Sequence, residues 1–264
     1  MKKLLFAVAM MLNLILSGWA EPEAVVEESA DTGLHFDLTL DLYSAYVWRG
    51  CVVNDRPVWQ PAGTLAYETG DYGTFLAGVW ANFDMTKRNK AHTGGGLNEI
   101  DYTANYSIDV ADFTLDAGHI WYTFPKASGS DYLGSTREIY GAVTYNHELL
   151  TPAFSAYYDY AAVDGWYLNS SLNKEVGVGD QLTLGAESSL GWGSAHYMSG
   201  YFSTGGSGFA DLNFALYAAY ALTDQVTIGL KLAYTILLDS DARDNEVYRD
   251  ENIVWGGLNL AASF

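Results

Sequence analysis

One cysteine, five prolines and 13 lysines and arginines against 32 aspartates and glutamates mark what this 264-residue chain goes without. With Cys51 alone no intramolecular disulfide can form, and the residue reads as a small loop side chain. The shortage of bases leaves a formal net charge of −19, and losing Lys2 and Lys3 with an export signal takes −19 to −21. That balance excludes nucleic acid as a partner, because its footprint is a basic patch. Past the N-terminal region no apolar run approaches the ~20 residues of a membrane helix. A mature chain that resides in a membrane must therefore cross it as a closed barrel. While proline is scarce, aromatics reach 15% and there are 27 glycines, a mixture that favours strands over helices.

The first residues, MKKLLFAVAMMLNLILSGWAEPEA, combine a positive start at Lys2 and Lys3, an apolar stretch from Leu4 to Leu16, and small residues at Gly18 and Ala20 suited to signal peptidase. Residues 1–20 are expected to be a signal peptide, since the apolar stretch is short for a membrane anchor. Residues 21–33, EPEAVVEESADTG, are acidic and aperiodic and read as a periplasmic leader. Residues 34–264 then make one all-β domain of ordinary size.

From Leu34 the pattern changes. LHFDLTLDLYSAYVWR places Leu34, Phe36, Leu38, Leu40 and Leu42 on one parity and His35, Asp37, Thr39 and Asp41 on the other, a two-faced strand read as far as Arg49. The signature recurs near 58–67, 74–83, 99–108, 113–124, 139–146, 152–161, 166–176, 181–192, 209–221, 226–237 and 253–264. The expectation is a transmembrane antiparallel β-barrel of about twelve strands, with roughly 10 to 14 as the range, each near the length of a tilted membrane strand. Tight turns such as ETGDYG, DVAD, GVGD and LTDQ alternate with long loops such as PKASGSDYLGSTRE and DSDARDNEVYRDE. Short turns on one rim and long loops on the other is the outer-membrane arrangement. AAVDG breaks it by being short on the long-loop rim, and the sequence offers no reason.

Alternation alone does not say which parity faces out, since a lipocalin-like soluble barrel would bury its apolar parity. Charge and aromatics decide. The apolar parity carries almost no charge, with His119 in mid-strand and Arg137 and Lys174 near strand ends as exceptions. Its aromatics gather at strand ends: Trp48, Trp59, Phe83, Trp121, Tyr160, Trp166, Trp192 and Tyr234 toward the long loops, and Tyr67, Phe75, Tyr106, Phe113, Tyr145, Phe154, Tyr220 and Phe264 toward the short turns. Two such girdles suit two membrane–water interfaces, so this parity should meet outer-membrane lipids and lipopolysaccharide.

The opposite parity holds Asp37, Asp41, Glu99, Asp101, Asp116, Glu138, Asp159, Glu187 and Asp211, opposed chiefly by Arg49 and Lys231. If wet, such an interior gathers cations and repels anions over about a Debye length, roughly 8 Å at physiological salt. These eleven residues are the candidate pore lining for small solutes or cations. A barrel filled by its own side chains and inward loops is the competing arrangement. Arg49 stands at the mouth of the first strand, where it either folds the loop inward onto an Asp or Glu or makes a plain salt bridge at the rim.

YSAYVWRGCVVNDRPVWQP from Tyr43 to Pro61, DLNFALYAAYALTDQVTIGLKLAY, and the closing VWGGLNLAASF resemble the TorF-like porin family, outer-membrane proteins assigned as channels by prediction. The resemblance implies an outer-membrane location and a porin-like role, and no substrate. The last strand also resembles the C-terminal signal read by the barrel assembly machinery, with Phe264 at its end and Leu258, Leu260 and Ala262 on one parity.

Other chemistry finds little support. Outer-membrane lipid hydrolases use Ser and His on the lipid side, and here His119, Ser170 and Ser188 face outward with nothing to join them. HELLT at His147–Thr151 lacks the second histidine of a zinc-protease motif. His35, His92, His119 and His196 have no ligand spacing. The acidic loop with Asp239, Asp241, Asp244, Glu246, Asp250 and Glu251 contains Arg243 and lacks the glycine of an EF-hand. No cofactor, metal or catalytic residue is expected. The leading reading is a cation-preferring porin-like channel, with a surface lipid hydrolase and a non-conducting structural or adhesive barrel as alternatives.

Overall fold

The computed structural model describes residues 33–87, 95–125, 135–244 and 252–264. The expected signal peptide, the leader before Gly33, His92, Glu246, Asp250 and Glu251 lie outside the described residues. In chain order the elements are β1 Leu34–Tyr43, β2 Tyr46–Trp48, β3 Cys51–Asn54, β4 Val58–Glu68, β5 Thr74–Asp84, β6 Gly96–Val110, β7 Phe113–Thr123, β8 Thr136–Tyr145, β9 Thr151–Asp159 and β10 Gly165–Val178. There follow β11 Leu182–Gly193, α1 Ala195–Phe202, β12 Gly208–Ala221, β13 Val226–Leu237, α2 Ser240–Arg243 and β14 Asn252–Ser263. No described helix is long and apolar enough to cross a membrane.

Twelve strands, β1 and β4 to β14, close into one antiparallel barrel in which each strand pairs with its neighbours in sequence. Closure sets β1 against β14, with Leu40 opposite Leu260 and Asp41 opposite Asn259. Phe36 and Phe264 exchange backbone hydrogen bonds of 3.0 Å, so both ends of the barrel segment sit at the short-turn rim. A closed ladder leaves no edge, which is what a membrane without water to satisfy backbone groups requires.

The period-two alternation becomes two walls. Leu40, Leu230, Leu232 and Leu258 stand 43–57% exposed on the outside, while Asp41 and Thr39 on the inner parity are 1% and 2% exposed. An all-round leucine surface over a polar interior inverts a soluble barrel and identifies the outer wall as the lipid face. The girdles form by cross-strand stacking: Trp59–Phe83 and Tyr158–Trp166 near the long-loop rim, at ring separations of 5.0 and 4.7 Å. Phe75–Tyr106 and Phe113–Tyr145, at 4.9 and 5.1 Å, close the short-turn rim.

The short connection after β9 has a local cause. Asp159 Oδ1 accepts backbone N–H bonds from Ala161, Ala162 and Val163, winding the chain straight into β10. α1 then packs over this turn. Ser194 caps its first turn, and a Cβ at Gly165 would collide with the Tyr197 backbone, so glycine there lets the helix settle onto β10.

The structure corrects the first strand. Rather than running to Arg49, β1 ends at Tyr43, and Tyr46–Trp48 pairs with Cys51–Asn54 in a separate two-stranded hairpin. Trp48, expected in the outer girdle, therefore packs inside the barrel against Tyr122 and Tyr201. The alternation of YVWR fits a strand of either kind, and where the segment goes is decided by what its tip meets.

Candidate functional site

The β2–β3 hairpin, starting from the long-loop end of β1, turns into the lumen. Its tip is Arg49–Gly50, with φ of 45° and 84°, the two left-handed positions of a tight hairpin turn. Glycine is required at the second on two counts: the left-handed backbone, and an added Cβ that would lie 2.6 Å from the Asp211 Cβ on β12. On one side the hairpin packs with Ala62, Trp80, Ala215, Ala233 and Trp255. On the other, Cys51 joins a cluster with Ile120, Tyr122, Tyr140, Tyr157, Tyr167 and Phe202. The hairpin thus spans the lumen from wall to wall.

Polar anchors fix its return leg. Asn54 Nδ2 donates to Asp84 Oδ1 at 2.6 Å, and Asn82 donates to both Asp84 Oδ1 at 3.2 Å and Asn98 Oδ1 at 2.7 Å. Gln60 extends the network by donating to Asn82 Oδ1 at 2.9 Å. These groups are buried, and each amide is spent on another side chain, as low-dielectric surroundings demand.

At the tip, Arg49 makes a bidentate pair with Glu138 on β8, Nη1 to Oε1 at 2.8 Å and Nη2 to Oε2 at 2.9 Å. Tyr122 donates to Glu138 Oε2 at 2.9 Å, and Arg49 Nη1 also donates to the Tyr197 hydroxyl of α1 at 3.4 Å. The guanidinium carbon lies 4.0, 4.6 and 4.7 Å from the ring centres of Tyr157, Tyr167 and Trp48. Burial pushes the Tyr197 hydroxyl well above the ordinary tyrosine range, so it stays neutral beside the ion pair. Arg49 is 5% and Glu138 0% exposed. Between the two readings of Arg49, the geometry selects the inward one. A buried pair of this kind contributes little net stability, but removing either partner costs about 3–5 kcal/mol because the other charge is left uncompensated.

The remaining predicted acids divide by place. Asp211, beneath Gly50, accepts from Tyr167 at 3.0 Å and Asn213 at 2.6 Å. Asp159 is taken up by its turn, by Thr136 at 2.7 Å and by Tyr201 at 2.6 Å, so it organises the rim. Glu99 and Asp101 are buried on β6 near the same rim, Asp101 keeping one oxygen without a protein partner. Asp41 accepts from Asn259 at 2.6 Å, and Asp37 from Ser263. Asp116 is buried on β7 toward the short turns. Glu187 and Lys231 share with Arg49, Asp211 and Trp255 a cavity of about 30 Å3 under the hairpin, enough for a water or two. Lys231 Nζ lies 5.3 Å from the Trp255 ring centre and is the one lysine on the inner wall of the described strands. Among the described residues no group of three or more His, Cys, Asp or Glu could hold a metal ion.

The charges were found from parity; the tyrosines around them were not. Tyr122, Tyr140, Tyr157 and Tyr167 share the inward parity of Glu138 and Asp159, which could have marked them as an inner aromatic wall. On the outside, His119 Nε2 and the Tyr160 hydroxyl are 2.9 Å apart. Ser170 on β10 is three strands away, about 14 Å at normal strand spacing, so the two cannot act together.

A family model described as bacterial protein of unknown function (Gcw_chp) matches residues 27–253. The chain belongs to that family. Its description does not carry the TorF-like label, and what stands is the outer-membrane β-barrel. No curated protein matches. Among solved structures, the chain is similar to an outer membrane channel from Pseudomonas putida F1, at 13% identity and TM-score 0.57 over 93% of this chain and 100% of that one. It is also similar to the NanC porin, at 14% identity and TM-score 0.51 over 87% and 98%. At these identities the likeness establishes the outer-membrane barrel fold of this Gcw_chp protein.

Proposed function

We propose that this protein is a porin-like channel of the TorF-like kind, which passes small hydrophilic solutes across the outer membrane with a preference for cations. The observation that carries the reading is an acidic inner wall crossed by a hairpin whose charged tip is held by one buried ion pair. Such a wall has a negative potential that draws cations in, and low-dielectric surroundings strengthen it. The hairpin sets the conducting cross-section, and its release from Glu138 opens the lumen. Neither a cofactor nor turnover chemistry is involved. The outer wall meets lipid and lipopolysaccharide, and β14, ending at Phe264, is the segment offered to the assembly machinery.

Planar-bilayer recordings of the refolded mature chain under a salt gradient test this. The expected result is discrete steps with a cation-selective reversal potential that moves toward zero when Asp37, Asp101 and Asp211 become Asn. A folded barrel without steps would instead support a non-conducting structural or adhesive role.

A further inference from the structure

The pocket that holds the Arg49 guanidinium is built almost entirely by parts of the protein other than the hairpin that fills it. Glu138 comes from β8, Tyr157 from β9, Tyr167 from β10, Tyr122 from β7 and Tyr197 from α1; Trp48 alone travels with Arg49. If the hairpin lifts, the wall keeps a buried carboxylate, oriented by the Tyr122 hydroxyl and flanked by two tyrosine faces, with its cation gone. A carboxylate in such surroundings demands a replacement cation. Two parallel N–H to oxygen bonds, with the plane of the cation against aromatic rings, suit a planar guanidinium far better than a compact, strongly hydrated ammonium or sodium ion.

We propose that this cage is a binding site for small guanidinium-bearing solutes, and that Arg49 occupies it as a tethered competitor. The proposal rests on the channel reading for its consequence: a solute entering from the long-loop side exchanges with Arg49, frees the hairpin and admits itself. Selectivity within the cation class then comes from Glu138 and the tyrosines, whereas the remaining acids supply only the attractive potential. Exchange is feasible because the incoming group remakes the hydrogen bonds to Glu138 and Tyr197 that Arg49 gives up, only the Trp48 face leaving with the hairpin.

The test needs no current. Cys51 is the chain's only cysteine, lies two positions beyond Arg49, and is 1% exposed, so its reaction with a polar maleimide in detergent-folded wild-type barrel reports hairpin release. Methylguanidinium at low millimolar concentration is expected to speed this labelling at least about fivefold, with sodium and also tetramethylammonium, which suits aromatic faces but has no N–H to give Glu138, inert at equal ionic strength. Calorimetry on Arg49→Ala should show methylguanidinium binding, lost in Arg49→Ala/Glu138→Gln. Heat-modifiable gel mobility checks that each variant is folded, and the wild-type labelling stands without them. Labelling that ignores methylguanidinium, or that responds equally to tetramethylammonium, overturns the proposal. Selective labelling in a barrel that never conducts keeps the site and removes the channel, whereas cation-selective steps with no methylguanidinium effect do the reverse.

Discussion

The two halves of the lumen are built from different materials. Toward the long loops the inner wall carries Tyr122, Tyr140, Tyr157, Tyr167, Trp80 and Trp255, and the hairpin and α1 pack among them into two apolar clusters. Toward the short turns the buried inner residues are mainly small and polar, among them Thr39, Thr64, Ser107, Thr114, Asp116, Thr144 and Thr227; Tyr217, which donates to Glu175, is a large aromatic there, and the one apolar cluster is Ala66 with Leu76. Large aromatics fill a cross-section and exclude water; hydroxyls and carboxylates on short side chains leave room for it. The long-loop half is thus packed as a small protein core and the short-turn half is polar; in the proposed channel they are the gate and the vestibule. Charge is present in both, so the packing of many aromatics against the hairpin, rather than the position of the acids, separates the two halves.

Breaking the gate should have the largest effect. Glu138→Gln leaves the Arg49 charge buried without its partner and is expected to weaken hairpin seating by about 3–5 kcal/mol, read as larger single-channel steps. Gly50→Val forces a side chain onto Asp211 in a left-handed turn, a clash worth about 1–3 kcal/mol, with the same sign of effect in urea unfolding and in conductance. Tyr167→Phe removes one hydrogen bond to Asp211 and should cost about 0.5–1.5 kcal/mol, with conductance nearly unchanged. In the vestibule, Asp116→Asn should shift the reversal potential slightly toward zero and leave step size as it was. Should Asp116→Asn enlarge the steps as Glu138→Gln does, the division into gate and vestibule fails.

Much of this architecture was legible in the sequence because lipid is a demanding solvent. An outer parity that must exclude charge, as in Leu34 to Leu42, exposes register and face at once, and twelve strands followed from it. The hairpin was not legible in the same way. YVWRGCVV continues the alternation, and it leaves the barrel wall because Gly50 fits over Asp211 and Arg49 reaches Glu138, 89 positions away in the chain. Local pattern cannot encode that contact. AAVDG likewise became intelligible only when Asp159, which parity had marked as a wall charge, proved to hold the turn through three N–H groups. The acids were readable as inward; what each one binds was not.

The most direct test of the central claim is single-channel conductance after the hairpin is removed, with Tyr46–Asn54 replaced by a short glycine linker and all twelve barrel strands kept. Steps several-fold larger than wild type with cation selectivity retained are expected, because the acidic wall remains. Conductance equal to wild type, or selectivity lost with the hairpin, would contradict the claim.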